Sequence, residues 1–331
     1  MQVFRNHPPP ASRSPCVLTI GNFDGVHLGH QAVLASLKKI GKALQLPVAL
    51  MTFDPHPREY FAQLAPNNAK AQAPSRIQSL RDKACALQQY GVDQLIVAHF
   101  NKRLSSMQAE DFVEKYLVQT LQVKHLFVGD DFQFGAGRRG NFEMLTSMGK
   151  SLGFSVERMP TVMHSGERVS SSYVRKALAA GEFELVEKLL GRPYTMSGKV
   201  IHGRKLGRTL GFPTLNMLVP GSSISSGAKS LLHGIYAVRV YHLGVNSKVT
   251  FDGVASLGTR PAVEQHGRYL LETHVFNFDG NAYGKTLAVE FVAKLREEAN
   301  YDSLEALTTQ INIDAQQAKD ILSSNKTALA P

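Results

Sequence analysis

The sequence predicts two domains: a parallel α/β domain, followed by an antiparallel β-barrel that ends in a helix. Three observations predict it. Up to about residue 158, short apolar runs alternate with longer stretches of helical periodicity, the pattern of a parallel sheet covered by helices. Beyond residue 191, β-rich runs follow one another across turn residues with little helical pattern between them, which reads as a small barrel. The 331 residues accommodate two domains of roughly 100–200 residues each.

The predicted strands of the first domain are 16–20, 48–53, 95–100, 126–128 and 154–157. Val33, Leu34, Leu37, Ile40 and Leu44 recur at helical spacing after the first strand, and Leu80, Ala84 and Leu87 do so before the third. In the second domain, 235–241, 249–257, 269–277 and 287–293 are predicted strands. Asp302 is predicted to open the last helix, with Glu305 three residues on as its capping-box partner. The boundary is placed near residue 185, giving domains 1–185 and 186–331, and residues 222–229 read as a flexible loop.

Composition narrows the class. The apolar fraction of 43% fills two cores. Cys16 and Cys85 are far apart and outside any CxxC pattern, which argues against a disulfide framework or a cysteine zinc site. Residues 1–15 lack the apolar run of a signal peptide, and no stretch of 18 apolar residues occurs. A cytoplasmic protein without membrane contact is expected. The net charge of +10 fits nucleic acid, but no run of five basic residues occurs. A solvated pair such as Arg138-Arg139 or a positive field for small phosphates accounts for it equally.

Directly after the first predicted strand comes Gly21-Asn22-Phe23-Asp24-Gly25-Val26-His27-Leu28-Gly29-His30, and then a helix. A strand that ends in glycines and opens a helix aims backbone N–H groups and a positive dipole end at one crevice, a natural phosphate site. His27 and His30 flank Gly29, which is expected to let a phosphate approach the backbone closely. Two imidazoles there can donate hydrogen bonds to charge developing on an α-phosphate. An isolated HxxH would more simply be a cap or a metal pair, and it is the glycine-framed context that favours the phosphate reading. The segment resembles the HxGH signature of the nucleotidylyltransferase superfamily, which implies a Rossmann-like fold.

Three further segments narrow the resemblance. Thr52-Phe53-Asp54-Pro55-His56-Pro57 ends the second predicted strand, Val128-Gly129-Asp130-Asp131-Phe132-Gln133-Phe134-Gly135 ends the fourth, and Ser170-Ser171-Ser172-Tyr173-Val174-Arg175 opens a late helix. With the first segment, they resemble the FMN adenylyltransferase module of bacterial bifunctional riboflavin kinase/FAD synthetases over roughly 16–185. The resemblance implies that ATP is held by Gly21, Asn22, Phe23, Asp24, Gly25, His27, Gly29, His30, Ser170, Ser171, Ser172 and Arg175. It also implies a flavin pocket lined by Phe53, Asp54, Pro55, His56, Pro57, Asp130, Asp131, Phe132 and Phe134. The family more often carries Thr where Ser172 stands.

Two look-alikes are set aside. Gly135-Ala136-Gly137-Arg138-Arg139-Gly140 spells GxGxxG but follows the fourth predicted strand, whereas a dinucleotide site needs it at the first βα turn. Residues 221–230 imitate a P-loop, with five residues between the glycines where four are required.

In the second domain Gly198, Gly203, Gly207, Arg208 and Gly211-Phe212-Pro213-Thr214-Leu215-Asn216 cluster beside one predicted strand. Thr214 and Asn216 are two apart, so in an extended segment both side chains point the same way. A hydroxyl and an amide oxygen are suitable hard ligands for Mg²⁺, although a lone PTxN is more simply a polar strand edge. Here it is not alone. With 234–238, Gly258-Thr259-Arg260-Pro261, Glu272, Tyr283-Gly284 and Leu295-Arg296, it resembles riboflavin kinase from about 186 to 320.

That resemblance implies that Gly198, Gly203, Gly207, Arg208, Gly211, Phe212, Pro213, Thr214 and Asn216 bind ATP. Thr214 and Asn216 would hold Mg²⁺, Glu272 would be the general base, and Arg296 would contact flavin. Ala262 replaces the family's usual Thr, and residues 221–233 look longer than the usual connection.

The expectation is an enzyme with ATP as co-substrate, Mg²⁺ as cofactor and flavins as substrate and product. It would phosphorylate riboflavin to FMN and adenylylate FMN to FAD, with no nucleic-acid partner. Two other readings are a different adenylyltransferase with an appended barrel, and a non-catalytic nucleic-acid-binding protein; against the latter, no aromatic-interleaved basic stripe occurs.

Overall fold

A computed structural model describes residues 1–65, 73–203, 207, 210–223, 230–242, 250–258 and 268–327. Arg208, Ala262, the 259–261 turn and residues 224–229 of the long connection therefore lie outside the described residues. The chain forms two compact units, Met1–Pro74 with Lys83–Ser170, and Ser75–Asp82 with Ser171–Pro331.

The first unit is built on a six-stranded sheet of order β1-β4-β3-β2-β5-β6, parallel throughout. Its strands are β1 (Gln2–Arg5), β2 (Cys16–Ile20), β3 (Val48–Phe53), β4 (Gln94–Ala98), β5 (Val123–Val128) and β6 (Ser155–Arg158). All five residues of β2 are buried, as an apolar strand covered on both faces should be. β1 was not anticipated. It is a short edge strand, mostly exposed, without an alternating pattern to betray it.

The order matters for function. From β2 the chain adds β3 and β4 on one side, then β5 and β6 on the other. The carboxyl ends of β2 and its neighbours therefore flank a topological switch point, where open α/β sheets form their ligand crevice. Helix α1 (Leu28–Leu44) follows β2 and buries Val33, Leu34 and Leu37. Helix α2 (Pro57–Leu64) follows β3 and α3 (Leu80–Gln89) precedes β4. A short α4 (Lys102–Ser105) comes next, and α5 (Ala109–Asp111) then continues as a π-helix over Phe112–Thr120, which buries Phe112, Val113 and Leu117. After α6 (Phe142–Leu152), the hairpin β7 (Met163–His164) and β8 (Glu167–Arg168) turns through Ser165 and Gly166, both at positive φ as a type I′ turn requires.

The second unit contains α7 (Ser171–Ala180), α8 (Phe183–Leu190) and a closed antiparallel barrel of order β10-β13-β12-β11-β14-β9. The strands are β9 (Thr195–Ile201), β10 (Thr214–Ser223), β11 (Gly234–His242), β12 (Thr250–Gly258), β13 (Arg268–Val275) and β14 (Thr286–Arg296). β10 runs through Ser223, so the expected loop begins later than residue 222. Val238, Leu257 and Leu271 are buried in the unit's core, and Phe183 of α8 stacks on Phe291 and meets Tyr236 edge-on. Helix α9 (Leu304–Thr327) lays Ala315, Ala318 and Leu322 against Ala237, Val254 and Phe276. Its cap is Ser303, whose hydroxyl accepts the Ala306 N–H at 3.1 Å, and not the expected Asp302. Glu305 folds back instead: its own backbone N–H, then the Ser303 hydroxyl, hold its carboxyl below the usual carboxylate range.

Residues 75–82 are strapped onto this unit. Arg175 Nε donates to Ser75 O at 2.8 Å, the Tyr194 hydroxyl to Ile77 O at 2.8 Å, and Arg192 to Gln78 Oε1 at 3.3 Å. Asp82 accepts from the Ser79 hydroxyl at 2.7 Å and from the Ser197 hydroxyl.

Candidate active sites

In the first unit the loop between β2 and α1 is held from several directions. Gly21 N–H donates to Met51 O at 3.0 Å. The Asn22 carbonyl accepts from Thr52 Oγ1 at 3.2 Å and from Lys83 Nζ at 2.7 Å. Phe23, Gly25 and Val26 all have positive φ, at 47°, 89° and 43°. For a β-branched residue such as Val26, this is a rare conformation that needs support from its surroundings.

These turns deliver His27 to the N-cap of α1, where its Nδ1 accepts the His30 N–H at 3.4 Å. The neutral ring then carries its proton on Nε2 and can donate from there. The His27 and His30 rings stack at 3.7 Å between centroids, and Phe23 stacks on His30 at 4.4 Å. A Cβ on Gly29 would lie 3.1 Å from the His27 ring and 3.1 Å from Val169 O. This glycine thus leaves room for the imidazole and for the protein's own backbone.

Around the neighbouring strand ends, Phe53 meets Phe100 edge-on at 5.7 Å, and Tyr60 and Phe61 surround the same ring. Asp54 N–H donates to Ala98 O at 3.0 Å, and His99 donates to Asp54 O at 3.1 Å. The Asp54–Pro55 peptide is cis. His56 caps α2 in a reciprocal box with Glu59, and Pro57 takes the first turn of that helix. After β5, Asp130 pairs with Arg158 at 2.9 Å, and Phe132 N–H donates to Gly129 O at 3.1 Å.

The fold therefore carries Phe53, Asp54, Asp130, Asp131 and Phe132 to the carboxyl ends of β3 and β5, the strands on either side of β2. Phe134 follows directly, its ring stacked on Phe132 at 5.6 Å. It is buried in the core against Phe112 at 5.4 Å, and Gly140 is required beneath its ring, since a Cβ there would come within 2.5 Å. Core packing thus explains Gly140 and Gly135 of the GxGxxG look-alike, a Cβ on Gly135 falling 2.7 Å from Ala109, whereas Gly137 is exposed and has φ +63°. Ser170 closes the first unit, whereas Ser171, Ser172 and Arg175 belong to α7 of the second.

In the second unit the glycines also have local reasons. A Cβ on Gly203 would fall 2.4 Å from the Asn216 amide nitrogen, so that backbone lies directly on Asn216. Phe212 N–H donates to Gly207 O at 2.7 Å, and Gly211 has φ +84°, closing a loop ahead of β10. Phe212 then meets His274 edge-on at 5.3 Å, and His274 donates to Pro213 O at 2.9 Å. Gly198 lies within β9, paired with Leu287.

Along the β10–β13 ladder Thr214 is opposite His274, and Asn216 is opposite Glu272. Opposed residues of an antiparallel pair share a face, so the four polar side chains leave the sheet on one side. Asn216 is 4% exposed, and its Oδ1 is a buried acceptor without a hydrogen-bond donor among the described residues. Such an atom needs a partner from outside these residues. Thr214 and Glu272 are half-buried.

Arg296 is engaged within the protein. Its Nε and Nη2 donate to the two oxygens of Asp314 at 2.8 and 2.6 Å, and its Nη1 to Glu297 O at 2.8 Å. Asp314, by this pairing, raises the guanidinium pKa further.

Comparison with known proteins follows this division. The family model of FAD synthetase matches residues 10–173, and that of riboflavin kinase matches residues 190–322. The bifunctional riboflavin kinase/FMN adenylyltransferase of Haemophilus influenzae is 43% identical over 93% of this chain and 95% of its own length. The chain belongs to the bifunctional riboflavin kinase/FMN adenylyltransferase family.

The Pseudomonas fluorescens member of this family is 45% identical over 92% of each chain. A crystal structure described as a macrolide-efflux protein from Streptococcus pneumoniae superimposes with a TM-score of 0.73, at 26% identity, over 95% of this chain and 97% of that one. That description applies to that protein; here, among the described residues, no helix is long and apolar enough to cross a membrane. Within the family frame, three contacts had no sequence signal. Thr52 stands in the segment that ends the second predicted strand, and no motif contains Lys83 or Asp314.

Proposed function

We propose that this chain makes FMN from riboflavin and ATP at the barrel, and FAD from FMN and a second ATP at the parallel sheet, with domains spanning 1–185 and 186–331. Membership of the bifunctional family supports both activities, and the opposition of Asn216 and Glu272 beside a buried acceptor carries the residue-level reading.

In the first reaction Glu272 accepts the proton of riboflavin's primary alcohol as its oxygen attacks the γ-phosphorus, and ADP leaves. The glycine-rich run of Gly198, Gly203, Gly207, Gly211, Phe212 and Pro213 lies along the nucleotide, to which the family resemblance also assigns Arg208. The Thr214 hydroxyl and Asn216 Oδ1 fit a hard divalent cation, being a neutral oxygen pair on one face with the amide oxygen buried and otherwise without a donor among the described residues. When bound, Mg²⁺ would offset charge on the phosphate oxygens. Arg296 serves the flavin side in its Asp314-bound form.

In the second reaction a phosphate oxygen of FMN attacks the α-phosphorus of ATP, and pyrophosphate leaves. His27, donating through Nε2, and His30 hydrogen-bond the oxygens on which charge accumulates, and the N-terminus of α1 adds its dipole. The family resemblance further assigns Ser170, Ser171, Ser172 and Arg175 to nucleotide binding, as neutral and charged donors to phosphate oxygens. Phe53, Asp54, Pro55, His56, Pro57, Asp130, Asp131, Phe132 and Phe134 bound the flavin. The two free cysteines fit a cytoplasmic setting.

Purified protein given riboflavin, ATP and Mg²⁺ should produce both flavins by chromatography. FMN alone would remove the second half of the reading. His30→Ala should abolish FAD formation and spare FMN formation; loss of both in a folded protein would show the sites to be misassigned.

A further inference from the structure

We infer that Thr52 and Lys83 are positioning residues for adenylyl transfer, acting through a single oxygen, the Asn22 carbonyl. The inference rests on reading residues 21–30 as the adenylyl-transfer site. Two side chains from separate elements converge on that oxygen, Thr52 from the end of β3 at 3.2 Å and Lys83 from α3 at 2.7 Å. Thr52 is fully buried. A carbonyl oxygen has two acceptor positions, so both are taken by protein, one of them by a charge-assisted bond.

Fixing this carbonyl fixes the plane of the peptide that leads into Phe23, whose φ of +47° a bulky residue does not hold unaided. The Phe23 ring stacks on His30 at 4.4 Å and 27°, and His30 on His27 at 3.7 Å and 19°. Position is thereby passed from Thr52 and Lys83, through one peptide and one aromatic ring, to the two imidazoles. Neither residue has to touch a substrate for this to matter, because misplacing catalytic donors by about 1 Å costs up to roughly a hundredfold in rate.

The test separates positioning from charge. Thr52→Val removes a bond at nearly constant volume and leaves the charge of Lys83 in place; Lys83→Met removes bond and charge together. Each should lower kcat for FAD formation from supplied FMN about tenfold, leave KM for FMN unchanged, and leave riboflavin phosphorylation unchanged in the same preparation. Thr52→Ser and Lys83→Arg should restore the rate. In the nucleotide-free full-length protein, the imidazole NMR signals of His27 and His30 should move in Thr52→Val and Lys83→Met as the ring stack loosens.

Unmoved imidazole signals in both variants would overturn the inference, as would a loss in Lys83→Met alone, which would make charge the whole effect. Moved signals with an undiminished FAD rate would instead overturn the reading of residues 21–30 as the reacting site.

Discussion

Asn216 and Glu272 face each other across the β10–β13 ladder, so a buried amide and a carboxylate leave the barrel wall side by side. Glu272→Gln keeps the shape and removes the base. General-base catalysis contributes about 10²–10⁴-fold, and riboflavin phosphorylation should fall by that factor while FAD formation from supplied FMN continues. Undiminished FMN production would exclude Glu272 as the proton acceptor.

Arg296 and Asp314 should be worth more to stability than a surface pair. The two side chains are 24% and 4% exposed, and the contact is bidentate. Asp314→Asn leaves a largely enclosed guanidinium without its counter-charge, at a cost near the lower end of the roughly 3–5 kcal/mol for breaking a buried pair. Urea denaturation of the full-length protein should show the second unit unfolding earlier. An unchanged midpoint would mean that water replaces the carboxylate freely.

His125 on β5 predicts a pH dependence of the first unit. Burial lowers its pKa below the ordinary value of 6.5, and Glu157 only partly offsets this. The folded state therefore refuses a proton that the unfolded chain accepts, so stability is complete above pH 6.5 and declines as the pH falls from there toward the folded pKa. Denaturation midpoints measured between pH 7.5 and 5.5 should fall more steeply for the wild type than for His125→Gln. Parallel curves would count against it.

The two thiols should differ in reactivity. Cys16 is buried, its thiol donates to Leu121 O at 3.3 Å, and burial pushes its pKa up to about 12, whereas Cys85 is exposed. Iodoacetamide should label one cysteine in the folded protein and both in urea, with peptide mass spectrometry placing the first label on Cys85. Comparable labelling of Cys16 under native conditions would contradict the burial.

Features that repeat along the chain were the legible ones. Cys16–Ile20 is apolar but for Thr19, whose buried hydroxyl donates to Phe127 O, because both faces of β2 are covered, and His27 and His30 announce themselves through the glycines around them. Contacts that depend on where distant segments meet were not legible. Nothing in the sequence pairs Arg296 with an acid 18 residues onward on another element, or sends Phe134 to the core while its neighbour Phe132 stays half-buried. The cap of the last helix was missed by one residue, because Asp302 and Ser303 are both good N-cap types and only the backbone decides between them. Gly29 was read as a place of close approach for a phosphate; the fold also brings the His27 ring within 3.1 Å of where its Cβ would lie.

The strap formed by residues 75–82 bears on how the protein can be dissected. A fragment beginning at residue 171 would retain the barrel and lose the acceptors of Tyr194, Arg192, Arg175 and Ser197 at a stroke. Poor behaviour of such a fragment would then report a missing octapeptide, not an intrinsic inability of the barrel to fold. Supplying residues 75–82 as a tethered extension is the cleaner way to obtain the kinase half alone.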